Sequence, residues 1–276
     1  MNPNQSNISG HNHEGTPIKG NPAEFFGLGI IAFLDLLGFS SSILSQWGFG
    51  NESPLAKLLR IKDIPLVRKG TGVSIGLCTN EQLVKVIYSG LYQVKVHTLS
   101  DSVTLSVALP SELTLGDFAL AFFCIAANIR YVVDAALNEG YVVRGAAEIG
   151  QIFWNDRELI GPALIKAYSL ERCSAKTSRV ILGPDLLISL VSLCEKDAHD
   201  WTSLLRKNED GLISFDTRIR TRTVEIAKLR DAVKGDKEKE FKYRDLVDSQ
   251  GREVSSPVPT IQELRLAASQ LKAVTP

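Results

Sequence analysis

The run from Phe25 to Leu44 constrains the chain most: it is apolar and long enough to cross a bilayer, yet Asp35 stands at its middle. A carboxylate at the centre of a hydrocarbon layer costs roughly 2.5–3.5 kcal/mol, so the run reads as core elements of a folded domain. Leu115 to Leu137 meets the same objection through Asp117 and Arg130. Within the first run, Gly27 to Leu34 is β-rich and ends in Asp35-Leu36-Leu37-Gly38-Phe39-Ser40-Ser41-Ser42. That order predicts a strand, a tight turn and a helix. Gly38 permits the sharp turn, and the serines suit a helix start, whose free N–H groups face whatever binds there.

Alternation supplies the next constraint. Val94 and Val96, then Val103, Leu105 and Val107, flank Leu99-Ser100-Asp101-Ser102, which predicts a β-hairpin between Tyr92 and Ala108 with Asp101 at its tip. Leu115 to Leu137 predicts a buried helix, and Tyr141 to Trp154 a strand or hairpin interrupted by Gly145 and Gly150. Pro162 to Cys173 predicts another helix and Arg179 to Leu182 a short strand. The order β, α, ββ, α, β, α, β describes an α+β domain with helices on one face of a mainly antiparallel sheet. Residues 1–22, rich in Asn, Gly, Ser and Pro, predict a disordered tail. Its His11-Asn12-His13 is a chance tripeptide without metal-site geometry. After about Thr217 the charge becomes dense, as in Lys234 to Glu240. A last helix is predicted from Thr260, whose spacing to Glu263 fits a capping box, with Leu264, Ala267, Ala268, Leu271 and Val274 on one stripe.

Of 276 residues, 44% are hydrophobic, enough for a sizeable core, and Lys+Arg balance Asp+Glu at 31 each. That balance offers no long-range positive field for nucleic acid. Small molecules or proteins are the expected partners. The four cysteines, Cys78, Cys124, Cys173 and Cys194, fit no zinc spacing and accompany no secretory leader, which points to a reducing cytoplasm.

Two carboxylates, Asp35 ending a strand and Asp101 at a hairpin tip, come together when those strands lie side by side. Such a pair suits two Mg²⁺ or Mn²⁺ ions, which bridge protein carboxylates and substrate phosphates. Taken singly, each aspartate reads as a turn former. Arg144, after Tyr141-Val142-Val143, suits phosphate oxygens, with a structural salt bridge to a residue such as Glu148 as the competing reading.

The run Phe33-Leu34-Asp35-Leu36-Leu37-Gly38-Phe39-Ser40 resembles the first metal motif of the class III nucleotide cyclases, and Leu99-Ser100-Asp101-Ser102 falls where that family has its second metal aspartate. Val143-Arg144-Gly145 resembles its arginine strand, and Gly161 through Glu171 its following helix. The order and approximate spacing agree over about residues 25–183. Where purine cyclases carry a helix asparagine and arginine, this chain has Ile165 and Ser169. The helix Gly161-Pro162-Ala163-Leu164-Ile165-Lys166-Ala167-Tyr168-Ser169-Leu170-Glu171 is closer to the pyrimidine cyclases of Pycsar antiphage defence.

The resemblance implies a ferredoxin-like α+β cyclase domain over 23–216, after the 1–22 tail and before a charged helical extension at 217–276. It implies a phosphorus–oxygen lyase that turns UTP or CTP into the 3′,5′-cyclic monophosphate and pyrophosphate, as a messenger for a separate cyclic-nucleotide-responsive effector. Two Mn²⁺ or Mg²⁺ ions would be held by Asp35, Asp101 and the Leu36 backbone. Gly38, Phe39, Ser40 and Arg144 would meet the triphosphate. His97, four residues before Asp101, and Glu158 fall near base-reading positions; a cross-strand histidine without ligand role is the bland reading of His97. Class III sites are shared between subunits, which implies a homodimer with active sites at its interface. An adenylate or guanylate cyclase, and a non-catalytic cyclase-like nucleotide-binding domain, are the competing readings.

Overall fold

The computed structural model describes residues 24–62, 94–196, 201–217, 223–251 and 258–272. The expected tail, with His11 and His13, lies outside the described residues, as do Tyr92 and Cys78. The apolar run divides as its chemistry requires: β1 (Phe25–Leu37), a turn at Gly38, and α1 (Phe39–Gln46). Then come α2 (Pro54–Lys62), the hairpin β2 (Lys95–Leu99) and β3 (Ser102–Ala108), α3 (Leu115–Asn138), and β4 (Val142–Trp154). β1 pairs antiparallel with both β3 and β4, and β2 antiparallel with β3. The order β2-β3-β1-β4 of this βαββαβ unit is ferredoxin-like. The sheet continues through β6 (Val180–Leu182), parallel to β4, to β8 (Ile213–Phe215) and β7 (Leu205–Lys207). The short β5 (Leu159–Ile160) pairs with the end of β4.

Period-two alternation sends Ile30, Ala32, Leu34 and Leu36 to one face of β1, into the main core with Phe122, Ile125 and Ile129 of α3. Ile31, Phe33 and Asp35 point to the other. Helices were expected on one face alone; instead α4 (Pro162–Cys173) covers part of the second face, its Ala163 and Ala167 packed with Ile31, Ile152 and Trp154. The small residues of α4 allow this close seat on β1 and β4.

β4 is also unbroken, against the expected interruption at Gly145 and Gly150. A Cβ on Gly145 would fall inside van der Waals distance of the Phe33 carbonyl and Leu34. The glycine therefore lets β1 and β4 close on each other, and no break results.

α3 is long and apolar enough to cross a membrane by composition, but it is the core helix of this fold, with Phe118, Phe122, Ile125, Ile129 and Val132 buried. It starts with a capping box: the Asp117 N–H donates to Thr114 Oγ1 at 3.1 Å and the Thr114 N–H to Asp117 Oδ2 at 3.1 Å. Thr114→Ala removes one acceptor for the orphan N–H groups, and the expected cost is about 1 kcal/mol. Urea unfolding checks this; an unchanged midpoint would contradict it.

The charged region contains α6 (Thr223–Val233), α7 (Lys237–Gly251) and α8 (Ile261–Lys272), after α5 (Pro184–Lys196). The expected box at the start of α8 is present, with the Thr260 N–H on Glu263 Oε2 at 2.8 Å and the Glu263 N–H on Thr260 Oγ1 at 3.3 Å. Leu264, Ala267, Ala268 and Leu271 join Ile226, Leu229, Val233 and Tyr243 in the same core cluster as β1. The dense charge is the solvated side of helices that share the main core; Val274 lies outside the described residues.

Candidate active site

Register brings the expected residues to one end of the sheet. Asp35 on β1 stands opposite Ser102 of β3 on one side and Arg144 of β4 on the other. The Leu36 N–H donates to the Asp101 carbonyl at 3.2 Å, closing the hairpin tip onto β1. The two aspartates and the Leu36 backbone are thus neighbours.

Arg144 does not pair with Glu148. Its Nη2 and Nε each lie 3.3 Å from Asp35 Oδ2, and its Nε lies 2.5 Å from Glu171 Oε1 on α4. Glu148 is fully buried elsewhere, where its Oε1 accepts from the Leu186 N–H at 2.8 Å at the start of α5. Burial holds the Asp35 carboxyl above its ordinary value; Arg144 opposes this, and the Asp101 charge adds to it. Burial likewise raises Glu171, with Arg144 opposing and Asp35 adding.

Glu171 and Lys62 are site residues that sequence reasoning missed. Glu171 was visible only as the end of a helix motif. Lys62, the last residue of α2, donates from Nζ to the Ser100 carbonyl at the hairpin tip. Burial lowers its pKa, with Asp101 opposing. Nothing local in the sequence connects Lys62 to a turn 38 residues away.

Gly38 takes φ 85° at the start of α1, a left-handed conformation that favours glycine, and Phe39 and Ser40 follow as the first helical residues. Free N–H groups at such a start suit phosphate oxygens.

His97 and Glu158 form a second group. His97 pairs with Thr104, which pairs with Phe33, so its side chain shares the sheet face of Asp35. Its Nε2 is 3.3 Å from the Asn155 carbonyl, and Asn155 Oδ1 accepts from the Glu158 N–H at 2.7 Å. Burial lowers the His97 pKa, Asn155 opposes, Lys95 adds and Glu158 opposes. The imidazole is therefore neutral near pH 7. A carbonyl can only accept, so Nε2 carries the proton and Nδ1 is an acceptor. That Nδ1 is buried without a hydrogen-bond partner.

Among the described residues no group of three or more His, Cys, Asp or Glu could hold a metal ion unaided. Asp35, Asp101 and a backbone carbonyl fit a hard divalent cation completed by substrate oxygens. Asp35, Asp101 and Glu171 gather their charge about one guanidinium and one ammonium, and a cation would relieve it.

No family model and no curated protein matches the sequence. The guanylyl cyclase Cya2 is similar among solved structures, with 9% identity, 69% of this chain and 91% of that one covered, and a TM-score of 0.36. A bacterial light-regulated adenylyl cyclase is similar at 12% identity over 79% of this chain, with a TM-score of 0.39, and the chain spans 60% of its length.

Proposed function

We propose that the chain is a pyrimidine nucleotide cyclase, converting UTP, or CTP, to the 3′,5′-cyclic monophosphate and pyrophosphate as a messenger in antiphage defence. The observation that carries this reading is the junction of Asp35, Leu36 and Asp101, with Arg144 facing Asp35 across the strand pair. The sequence motifs supply the class of reaction. In it, the ribose 3′-hydroxyl gives up its proton to solvent, its oxygen bonds to the α-phosphorus, the bond from that phosphorus to the β-bridging oxygen breaks, and pyrophosphate leaves. Two Mn²⁺ or Mg²⁺ ions bound by Asp35, Asp101 and the Leu36 carbonyl would acidify the 3′-hydroxyl and offset the charge of the triphosphate.

The chain's own groups do the rest. Glu171 anchors Arg144, so the guanidinium can turn from Asp35 to the phosphate oxygens without losing its orientation. The turn at Gly38 presents the N–H groups of Phe39 and Ser40 to the triphosphate.

His97 lies on the sheet face of Asp35, at a position that the resemblance gives to base reading. His97→Ala should therefore change the ratio of kcat/KM for UTP over CTP more than it changes the metal dependence. Equal losses with both nucleotides would contradict base reading.

His97 lies two strands away from Asp35 on the same sheet face, which suits a two-fold dimer in which each site takes the metal side from one copy and the base side from the other. Leu44, Trp47 and Phe49 are largely exposed near that end and would suit a self-complementary contact. Recovery of the wild-type nucleotide preference on mixing and re-equilibrating Asp35→Ala with His97→Ala protein tests the shared site. A fully active monomer would refute it.

A non-catalytic nucleotide-binding domain is the second reading, favoured by Ile165, which is 64% exposed on α4 and offers no hydrogen bond. Incubation with UTP or CTP and Mn²⁺, followed by mass analysis of the product, separates the two.

A further inference from the structure

α7 belongs to the charged region, yet it reaches the turn that precedes α1. Tyr243 is buried, and its hydroxyl stands 3.0 Å from where a Cβ on Gly38 would be, the one atom within 4 Å of that point among the described residues beyond the neighbours of Gly38 in the chain. Phe39, the next residue, packs edge-on against Tyr141 at 5.6 Å between centroids. Gly38 is thus backed by the Tyr243 hydroxyl, while the residue after it is held in an aromatic contact.

The helix that carries Tyr243 is itself tied down. The Ser178 N–H donates to the Lys242 carbonyl at 2.7 Å, and Arg206 Nη1 to the Asp245 carbonyl at 3.3 Å. The Asp245 carboxylate accepts from the Thr177 hydroxyl and lies 3.7 Å from Arg179 Nε. Arg179 is buried and also paired with Asp210. A buried guanidinium between two carboxylates is costly to expose, which makes this anchor firm. Tyr243 is therefore presented to Gly38 from a fixed base.

We propose that α7 is a brace for the phosphate-facing turn and that Tyr243 is a positioning residue. By filling the space beside the left-handed Gly38 it fixes the direction of the N–H groups at the start of α1. The ligand class, a nucleoside triphosphate, rests on the cyclase reading; the bracing does not.

The test compares Tyr243→Ala, Tyr243→Phe and Asp245→Asn with the wild-type full chain by amide hydrogen exchange over residues 38–46 and by steady-state kinetics with UTP and Mn²⁺. Tyr243→Ala is expected to speed exchange in the first turn of α1 and to raise KM about tenfold with kcat nearly unchanged, because contacts made equally in ground and transition states are lost. Tyr243→Phe, which removes the hydroxyl that backs Gly38 and keeps the ring, should shift both part of the way towards Tyr243→Ala, and Asp245→Asn, which loosens the helix without touching the turn, should shift both in the same direction. A folded Tyr243→Ala protein with wild-type exchange, or with faster exchange and wild-type KM, would overturn the positioning role. If Tyr243→Ala does not fold, Asp245→Asn carries the same two outcomes. A wild-type protein without cyclase activity would sink the functional reading and leave the exchange comparison to judge the brace.

Discussion

Asp35→Ala and Asp101→Ala should each abolish nucleotide cyclisation while the protein stays folded. Each substitution removes a carboxylate from the charge cluster at the end of β1, and neither removes apolar core. Loss of a metal ligand forfeits several kcal/mol of transition-state stabilisation, which is about three orders of magnitude in rate. Stability should not fall with activity. The Asp35 carboxyl is held above its ordinary value by burial, with Asp101 adding and Arg144 opposing, so its ionised form is kept at a cost to the fold. Asp35→Ala leaves Arg144 paired with Glu171 at 2.5 Å. The unfolding midpoint at neutral pH should equal or exceed that of the wild type, the pattern of a residue retained for function. Turnover within a few-fold of wild type in either variant would remove the two-metal assignment.

The second large effect concerns pH and Glu148. This carboxyl is fully buried, with Gly183 so close that a side chain there would collide with it. Burial raises its pKa to about 7, although the Ile149, Leu186 and Asp185 N–H groups favour the charged form; the charge of Asp185, itself paired with Lys166 at 2.7 Å, adds to the rise. In the unfolded chain the same group titrates near its ordinary 4.5. Between these values the native state holds a proton that the unfolded state has lost. The contribution to stability is therefore fully present below 4.5 and declines as pH rises through about 7. The shift corresponds to roughly 3 kcal/mol. Urea unfolding of wild type and Glu148→Gln from about pH 4.5 to 8 should show the decline in the wild type and a shallower profile in the variant. Parallel profiles would contradict the assignment.

Local signals were legible in the sequence wherever the deciding contacts are near in the chain. The hairpin tip at Asp101, the turn at Gly38 and the bounds of α4 follow from alternation, a glycine and a proline at a helix start. Gly145 misled because a glycine in a strand weakens it locally, while here it serves a close approach to Phe33 that only the paired strands create. The competing salt bridge of Arg144 to Glu148 does not form, because four residues of extended strand separate them, and the strand pair and the seat of α4 bring Arg144 Asp35 and Glu171 instead. The contact of Lys62 with Ser100 carries no local signal at all. The density of charge after Thr217 hid α7, whose contribution to the core rests on Tyr243 while most of its described surface is solvated.

The central claim is tested most directly by giving the purified protein an equimolar mixture of ATP, GTP, CTP and UTP with Mn²⁺, and identifying every cyclic product by mass spectrometry beside an Asp101→Ala control. Cyclic UMP as the main product, cyclic CMP as the lesser one, pyrophosphate in equal amount and none of these with the control is the expected result. Cyclic AMP or cyclic GMP alone would contradict the pyrimidine assignment, and no cyclic product from any of the four would contradict the cyclase itself.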